Sequence, residues 1–596
     1  MLIREPFRQN FYDAVRKKHV VLVVPNDIDA LCAATILIHL FSCDEVSYSV
    51  VFIASWSCLE QTLQEHLRLE HNFVLINCGG SREATKLGDL PPNSTIFIVD
   101  SRRPIDVDNV YHNEQIKVVA MGKEIDEELK IPAFESVYAE ESEDEDEDFE
   151  EGDEDEEDEI DENGGNRKRT RMENMERRVL KNAERKNWEQ RRGNILWEYY
   201  ENSWVSTASS VLMLNVAAEL SRATSELVWI TSIALSSQLT DGDISNNGYT
   251  HACLEHMKPY LGKYAPRGEA KADDLLRIKF EKELPLALYH HWSLFQAMKV
   301  NPFFACDTKN WNQKGEHEMK HLLARIGLTL NECRQKFTAM TTERRKEVIG
   351  LLETAMDCKF ASFFIHRGFT ERISACDVGR ALSTWLGSAR LDCASSSASL
   401  DSSPSSHHIP SILADRFRDC LEVLNSFFTS STDMPMLHKM MALSKSEMEG
   451  IWTHVSNAIN QGELIKNGRF HLFSSNKPRD ASLFSRPSLF AFSNFLASAY
   501  ACTSRVKGRR QRPLVVTFPS DQEGWLIVLG VMPLDTIQDD NHLKSFMGRS
   551  FEQIAKMPRI NMRREFFDPN IVLLKSEDRG RFFDQLQTLL ETQVGE

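Results

Sequence analysis

The 596-residue chain reads as an α/β protein: an amino-terminal domain on a parallel sheet, a helix-rich region after it, and a carboxyl-terminal α/β domain. Three observations point there. Short apolar runs, rich in β-branched residues, are separated by helical or loop patterns through residue 135. Those runs are continuous rather than alternating, as strands covered on both faces are. After a long helix-patterned middle, the last segment returns to mixed strand and helix patterns, and a chain of this length organises more than one core.

From His19 the sequence HVVLVVPNDIDALCAATILIHLF gives a strand, a turn and an apolar helix. SYSVVFIAS (47–55), NFVLINCGG (72–80), STIFIVDSRRP with its strand ending at Asp100, and EQIKVVA near 115–120 supply four more strands. Asp27 and Asp29 follow the first strand, Asp100 follows the fourth, and Asp106 and Asp108 lie in the next loop. Open parallel sheets collect ligands at such strand ends. An aspartate ahead of a helix also caps orphan N–H groups, and position alone leaves both roles open for Asp27 and Asp29.

The net charge of -18 is concentrated: residues 140–162 hold nineteen Asp and Glu and no Lys or Arg. Such a tract repels itself and has almost nothing to bury, so a disordered loop or tether is expected. The body without it is nearly neutral. A basic run follows, in which Arg167, Lys168, Arg169 and Arg171 are a nuclear-import candidate, while Met175–Trp197 reads as a long helix with a solvated charged face.

From Ser203 to about Phe369 the pattern is helical, including LRIKFEKELPLALYHHWSLFQAM, with Pro285 read as a helix start or kink and a break expected near Gly327 to Leu330. His290 and His291 are adjacent and point in different directions on a helix; no further ligand lies at metal-binding spacing, so no metal is expected. The twelve cysteines form no CxxC pair and read as reduced thiols. Residues 394–410 (ASSSASLDSSPSSHHIP) are a flexible low-complexity loop. From about 411 a final unit carries strand candidates FHLFS, RPLVVTFP, GWLIVLGVMP and NIVLLK. Arg505, Lys507, Arg509, Arg510 and Arg512 are either a bare surface loop or phosphate contacts for nucleic acid. No apolar run is long enough to cross a membrane, and a cytosolic or nuclear location follows as the expectation.

Two or three carboxylates at strand ends can hold Mg or Mn for phosphodiester hydrolysis, but a two-metal site needs more ligands. They are hard to find, because the third strand ends in Asn77-Cys78-Gly79 and Asp100 is followed by Ser101, Arg102 and Arg103.

Several segments together carry a specific likeness. They are VPNDIDALCAATIL (24–37), FVLINCGG (73–80), FIVDSRRPIDVDNVYHNEQIK (97–117), the acidic-to-basic junction, RRGNILWEYY (191–200), LALYHHWSLFQAM (286–298), LFSRPSLF (483–490) and FMGRSFEQIA (546–555). Through them nearly the whole chain resembles the cell division control protein 45 family, relatives of bacterial RecJ exonuclease and the DHH phosphoesterase superfamily.

The resemblance implies a DHH-phosphoesterase-like parallel-sheet domain with an inserted helical region and a DHHA1-like α/β domain. The expected divisions are 1–135 (first part of the DHH-like domain), 136–166 (acidic loop), 167–200 (basic helix), 201–240 (helices completing that domain), 241–393 (helical inserted region), 394–410 (flexible loop) and 411–596 (DHHA1-like). It carries the superfamily's metal-binding DxD onto Asp27 and Asp29, and the DHH triplet onto Asp100, Ser101 and Arg102. Its next aspartate falls in the Asn77–Gly79 turn, at Cys78, and a later one at Ser237. The expected site is therefore vestigial (Asp27, Asp29, Cys78, Asp100, Arg102, Ser237), with no cofactor and no catalysis. The implied role is a nuclear scaffold of the replicative helicase. Its implied partners are the MCM hexamer, the GINS tetramer, initiation factors, DNA polymerases and, weakly, single-stranded DNA; no membrane is involved. The alternatives are an active DHH-type phosphoesterase, and a histone-binding role for the acidic tract.

Overall fold

The computed structural model describes residues 1–66, 70–87, 90–111, 114–138, 164–263, 278–357, 361–368, 372–388, 408–429, 434–476, 480–483, 485–503, 512–533 and 542–593. The acidic tract 140–162 and residues 394–407 of the serine-rich segment lie outside them. The chain forms two compact units, one of Met1–Gly122 with Asn202–Glu596 and one of Lys123–Glu201.

The larger unit opens with strands β1 (Leu2–Ile3), β2 (Val20–Pro25), β3 (Tyr48–Ile53), β4 (Asn72–Ile76), β5 (Thr95–Val99), β6 (Arg102–Arg103) and β7 (Ile116–Val119). Six of these make one sheet ordered β1-β7-β5-β4-β2-β3, every pairing parallel, as the continuous apolar runs predict. Val20, Leu22, Val24, Val74, Ile76, Phe97 and Val99 share a core with the helices Ile28–Cys43, Ser209–Glu219 and Ser225–Thr240. Their neighbours on the opposite face, including Val21, Val23, Phe73, Leu75 and Ile98, are buried as well. β6 leaves the sheet and pairs antiparallel with β8 (Trp204–Val205).

The region expected to be purely helical contains a second, antiparallel sheet, β11-β10-β9, of β9 (Ile278–Glu283), β10 (Ser362–Arg367) and β11 (Ile373–Ser374). The reason lies in IKFEKE, whose apolar and charged residues alternate with a period of two at its start, a strand pattern hidden among helical neighbours. Pro285 lies in the coil after β9 and neither starts nor kinks a helix. Between the strands, short helices from Leu294 to Met356 enclose a core of Phe295, Met298, Phe304, Met319 and Leu352. Gly327, at φ +76°, follows the helix Gln313–Arg325. The next helix starts with a capping box in which Thr329 and Glu332 satisfy each other's backbone N–H groups.

The helix His408–Ser426 and the start of Pro435–Gln461 belong to the first core through Phe417, Cys420, Leu424, Leu437 and Met440. The third sheet has strands β12 (Ile465–Asn467), β13 (Phe470–Ser474), β14 (Leu514–Pro519), β15 (Trp525–Val531), β16 (Met562–Arg563) and β17 (Ile571–Lys575), ordered β12-β13-β14-β15-β17-β16. Only β13 and β14 pair in parallel. Alternation along its strands serves two cores. Leu514, Val516, Leu529 and Leu573 meet the helix Arg486–Thr503, while Val515, Val528 and Val572 meet the helices Met547–Ala555 and Arg579–Gln593.

In the smaller unit the helix Gly164–Tyr200 runs for 37 residues, and Arg192 Nε donates to the Val137 carbonyl at 2.7 Å. Among the described residues no helix is long and apolar enough to cross a membrane.

Trp229 is fully buried in the first core, edge-on to Phe427 at 5.9 Å. Trp229→Ala leaves a large cavity there and is expected to cost about 3–5 kcal/mol in a denaturant titration of the purified chain.

Candidate functional site

The strand order puts β5, β4 and β2 side by side, so their carboxyl ends bring Asp100, Asn77 and the Asp27/Asp29 pair into one row. Asp27 is the N-cap of the helix Ile28–Cys43: its backbone is extended (φ -147°, ψ 133°) and its Oδ1 accepts from the Asp29 N–H at 3.2 Å. The structure gives Asp27 the capping role, and the same side chain faces the strand-end row. Asn77 turns the chain after β4 in the left-handed region (φ +49°), where asparagine is among the better-tolerated side chains.

The Asn77 carboxamide organises the row. Its Nδ2 donates to Asp27 Oδ2 and to Asp29 Oδ2, both at 2.8 Å. Its Oδ1 accepts from Ser101 N (3.0 Å), Ser101 Oγ (3.1 Å) and Ser209 Oγ (2.5 Å). Donors on one side and carboxylates on the other fix which atom is nitrogen. The helix Ser209–Glu219 aims its N-terminus at the same place: Ser209 N–H reaches Asp29 Oδ2 at 2.8 Å, and Ser210 N–H reaches Asp29 Oδ1 at 3.0 Å. The partial positive charge of that helix end favours the anion. Asp29 is only 1% exposed, and burial, with the charge of Asp27 added, pushes its carboxyl up to about 6 against the pull of these hydrogen bonds.

Asp100 is buried beside them and accepts from Gly80 N–H at 3.0 Å and Arg102 N–H at 2.9 Å. Burial raises its carboxyl, and the Arg102 charge opposes the rise. A Cβ on residue 80 would lie 2.7 Å from Asp100 Oδ2, so the close approach requires glycine. The Arg102 guanidinium sits 3.6 Å from Asp27 Oδ2.

Two expected positions fall elsewhere. Cys78 directs its sulfur at the Val23 carbonyl (3.8 Å) and is held as a thiol by burial; Asn77 is the residue that lies among the carboxylates. Ser237 donates to Ala234 O at 2.7 Å within its own helix, and that helix packs where a Cβ on Gly379 would come 3.2 Å from the Ser237 Cβ. One turn further, Asp241 ends the helix Ser225–Thr240, and burial, followed by the charge of Asp243, pushes its carboxyl up to about 8, with Asp27 contributing. Beside it, Arg486 holds Asp243 through both Nη atoms (2.5 and 3.3 Å) and Asp568 through Nε (2.6 Å). Asp241, Asp243, Arg486 and Asp568 were not singled out from sequence. Arg486 does sit in the LFSRPSLF segment, but nothing local marks its distant partners.

Arg505, Lys507, Arg509 and Arg510 lie outside the described residues, and Arg512 donates from Nη1 to the Gly468 carbonyl. Arg167, Lys168, Arg169 and Arg171 fall within the long helix Gly164–Tyr200, with side chains outside the description. Away from this site the fold gives His290 neighbours that sequence spacing does not, Glu283 and His366.

The residues present do not fit a two-metal centre. N–H groups of Asn77, Asp29, Ser209 and Ser210 point at the oxygens of Asp27 and Asp29 that a cation would need, and a guanidinium stands beside them. The arrangement neutralises two carboxylates with fixed donors.

Asn77→Asp keeps every acceptor and replaces the one bridging donor by a third charge. It is expected to lower unfolding free energy by about 3–5 kcal/mol at pH 7.5, with the loss shrinking toward pH 5 in denaturant titrations. Asp241→Asn tests the other carboxyl. A folded-state value near 8 lies above the ordinary 3.8, so the proton's stabilisation is complete below pH 4 and is lost as pH rises to 8. The variant's advantage should grow over that window and level off above it, as read from melting temperature against pH.

A model of the CDC45 family matches residues 20–589. The chain is 30% identical over 598 residues to the cell division control protein 45 homolog of Homo sapiens, covering 98% of this chain and 99% of that protein. It is 26% identical to the homolog from Schizosaccharomyces pombe, over 96% of each. The crystal structure of CDC45 from Entamoeba histolytica shares the fold, with a TM-score of 0.65 at 16% identity, covering 99% of this chain and 100% of that one. With the family model running from the start of β2 into the final helix, and a human relative matching almost end to end, the chain belongs to the CDC45 family.

Proposed function

We propose that this family member works in DNA replication as a non-catalytic scaffold of the replicative helicase in the nucleus, joining the MCM hexamer and the GINS tetramer. Initiation factors and DNA polymerases are further partners, and single-stranded DNA is held weakly. The observation that carries the non-catalytic half of this reading is the Asn77 carboxamide, whose donor faces both Asp27 and Asp29 at 2.8 Å. Hydrolysis of a phosphodiester by metal-activated water needs those oxygens free to bind cations. Here they accept hydrogen bonds that hold the strand ends together.

The scaffold half is supported by family membership along 20–589 and by several independent cores in one chain. Scaffolding requires surfaces held at fixed separations, and Arg486, with its two carboxylate partners, supplies one rigid tie between the first core's helices and the third sheet's domain.

The competing reading, an active metal-dependent phosphoesterase, draws on the survival of Asp27, Asp29 and Asp100 in one row. The two separate in one set of assays. The chain should co-purify with tagged MCM and GINS subunits, fork unwinding by the assembly should depend on it, and the chain alone should leave single-stranded DNA intact in Mg or Mn at micromolar protein. Hydrolysis abolished by Asp27→Ala, without assembly, would replace the scaffold reading by the enzyme.

A further inference from the structure

Among the described residues, one group of histidine and carboxylate side chains outside the strand-end row is close enough to share an ion: Glu283, His290 and His366. Glu283 ends β9, His290 lies in the short 3-10 turn Tyr289–His291, and His366 is on β10. One ligand atom from each lies within 4.8 Å of the other two.

The ordinary alternative is a Glu–His ion pair with a second histidine packed beside it. It leaves too much unsatisfied. Glu283 Oε2 and His290 Nε2 are 3.6 Å apart, beyond hydrogen-bond length, and His290 Nε2 has no hydrogen-bond partner. His366 is 3% exposed, and its Nδ1 is buried and unpartnered too. A buried ring nitrogen without a partner costs about 1–3 kcal/mol; His290 and His366 each carry one, and a ligand atom of each lies within 4.8 Å of the Glu283 carboxylate. The two rings meet edge to face (centroids 6.1 Å apart, 83°), so stacking does not explain their proximity.

A cation answers all three groups at once. Ligand bonds of about 2.0–2.2 Å in tetrahedral geometry put ligand atoms roughly 3.3 Å apart, so the Glu283–His290 separation needs little change and the widest one closes by a modest side-chain movement. The surroundings orient the ligands as a metal site's outer partners do. Tyr289 OH donates to Glu283 Oε2, and the Phe337 ring packs edge-on against His290 at 5.4 Å.

We propose that Glu283, His290 and His366 bind one divalent cation of the zinc class. Two imidazoles and one carboxylate are the donor set zinc accepts with a fourth position open to water, and they are unsuited to Mg, which takes oxygen ligands. The ion clips the antiparallel β9–β10 pair to the turn that enters the helical core of Tyr289 and Phe337. Its role is structural, and it is separate from the strand-end carboxylates.

The test uses the full chain, stripped with a chelator and titrated with zinc against a chromogenic competitor, in parallel with His290→Gln and His366→Gln. Cobalt(II) substitution distinguishes this donor set from the chain's twelve cysteines. Imidazole and carboxylate ligation gives visible d–d bands without a thiolate charge-transfer band. The expected result is one equivalent bound, affinity at least tenfold weaker in each variant, and a zinc-dependent rise in melting temperature lost in His290→Gln. His290→Gln, at the more exposed of the two histidines, carries the decision if His366→Gln does not fold; a chelator-treated melt matching the parent's verifies its fold. No stoichiometric binding, a thiolate spectrum, or affinity indifferent to His290→Gln overturns the proposal.

Discussion

The Asn77 carboxamide between Asp27 and Asp29 is the contact on which the amino-terminal domain's architecture depends. Two carboxylates two residues apart in sequence are brought to the strand ends of a parallel sheet, one of them only 1% exposed. Unpaired buried charges of this kind are untenable in a folded protein. One amide group answers both, while its own oxygen gathers Ser101 from the end of β5 and Ser209 from the start of a helix. Three strand ends and two helix N-termini are thereby registered against one another. The left-handed turn at Asn77 makes this possible by turning the side chain back toward β2 rather than onward with the chain.

The same economy of charge extends to the carboxyl-terminal domain. Arg486 starts the helix that covers one face of the third sheet, yet its guanidinium engages Asp243 beyond the first core's helix and Asp568 ahead of β17. A planar fork satisfied on two sides has little freedom, so the domains it joins are held in orientation as well as in contact. Asp241 lies next to this clamp and is pushed the opposite way from Asp568, which the Arg486 charge holds low against burial. The Arg486 charge pulls on both; at Asp568, which it also hydrogen-bonds, it overcomes burial, and at Asp241 burial and the Asp243 charge outweigh it.

What was legible in the sequence followed from period and composition. Continuous apolar runs gave the parallel sheet, because strands buried on both faces need no alternation, and the paired runs at RPLVVTFP and GWLIVLGVMP gave β14 and β15. Asp27, Asp29, Asp100 and Arg102 were placed together because strand ends in such a sheet converge. The strand β9 escapes a sequence reading because the four alternating residues that open it are few against helical flanks, and Cys78 stands in the place of Asn77 there because a one-residue difference in a turn is a matter of φ, which composition does not carry. Asp241, Arg486 and Asp568 were out of reach, since their meaning arises only when segments more than eighty residues apart are packed together.

A surviving DxD therefore carries less information about catalysis than it first suggests. In an enzyme such carboxylates are kept for the ion they bind. In this chain Asp29 accepts the first two N–H groups of the helix Ser209–Glu219, and Asp27 caps the helix Ile28–Cys43. Removing Asp29 would orphan donors that burial keeps from water, a penalty often larger than the worth of the bond itself, and removing Asp27 would cost its helix a cap. With the Asn77 amide between them, the same two residues serve the stability of the fold. Their presence does not by itself argue for metal chemistry, because the hydrogen bonds that stabilise the fold use the lone pairs that a metal would require.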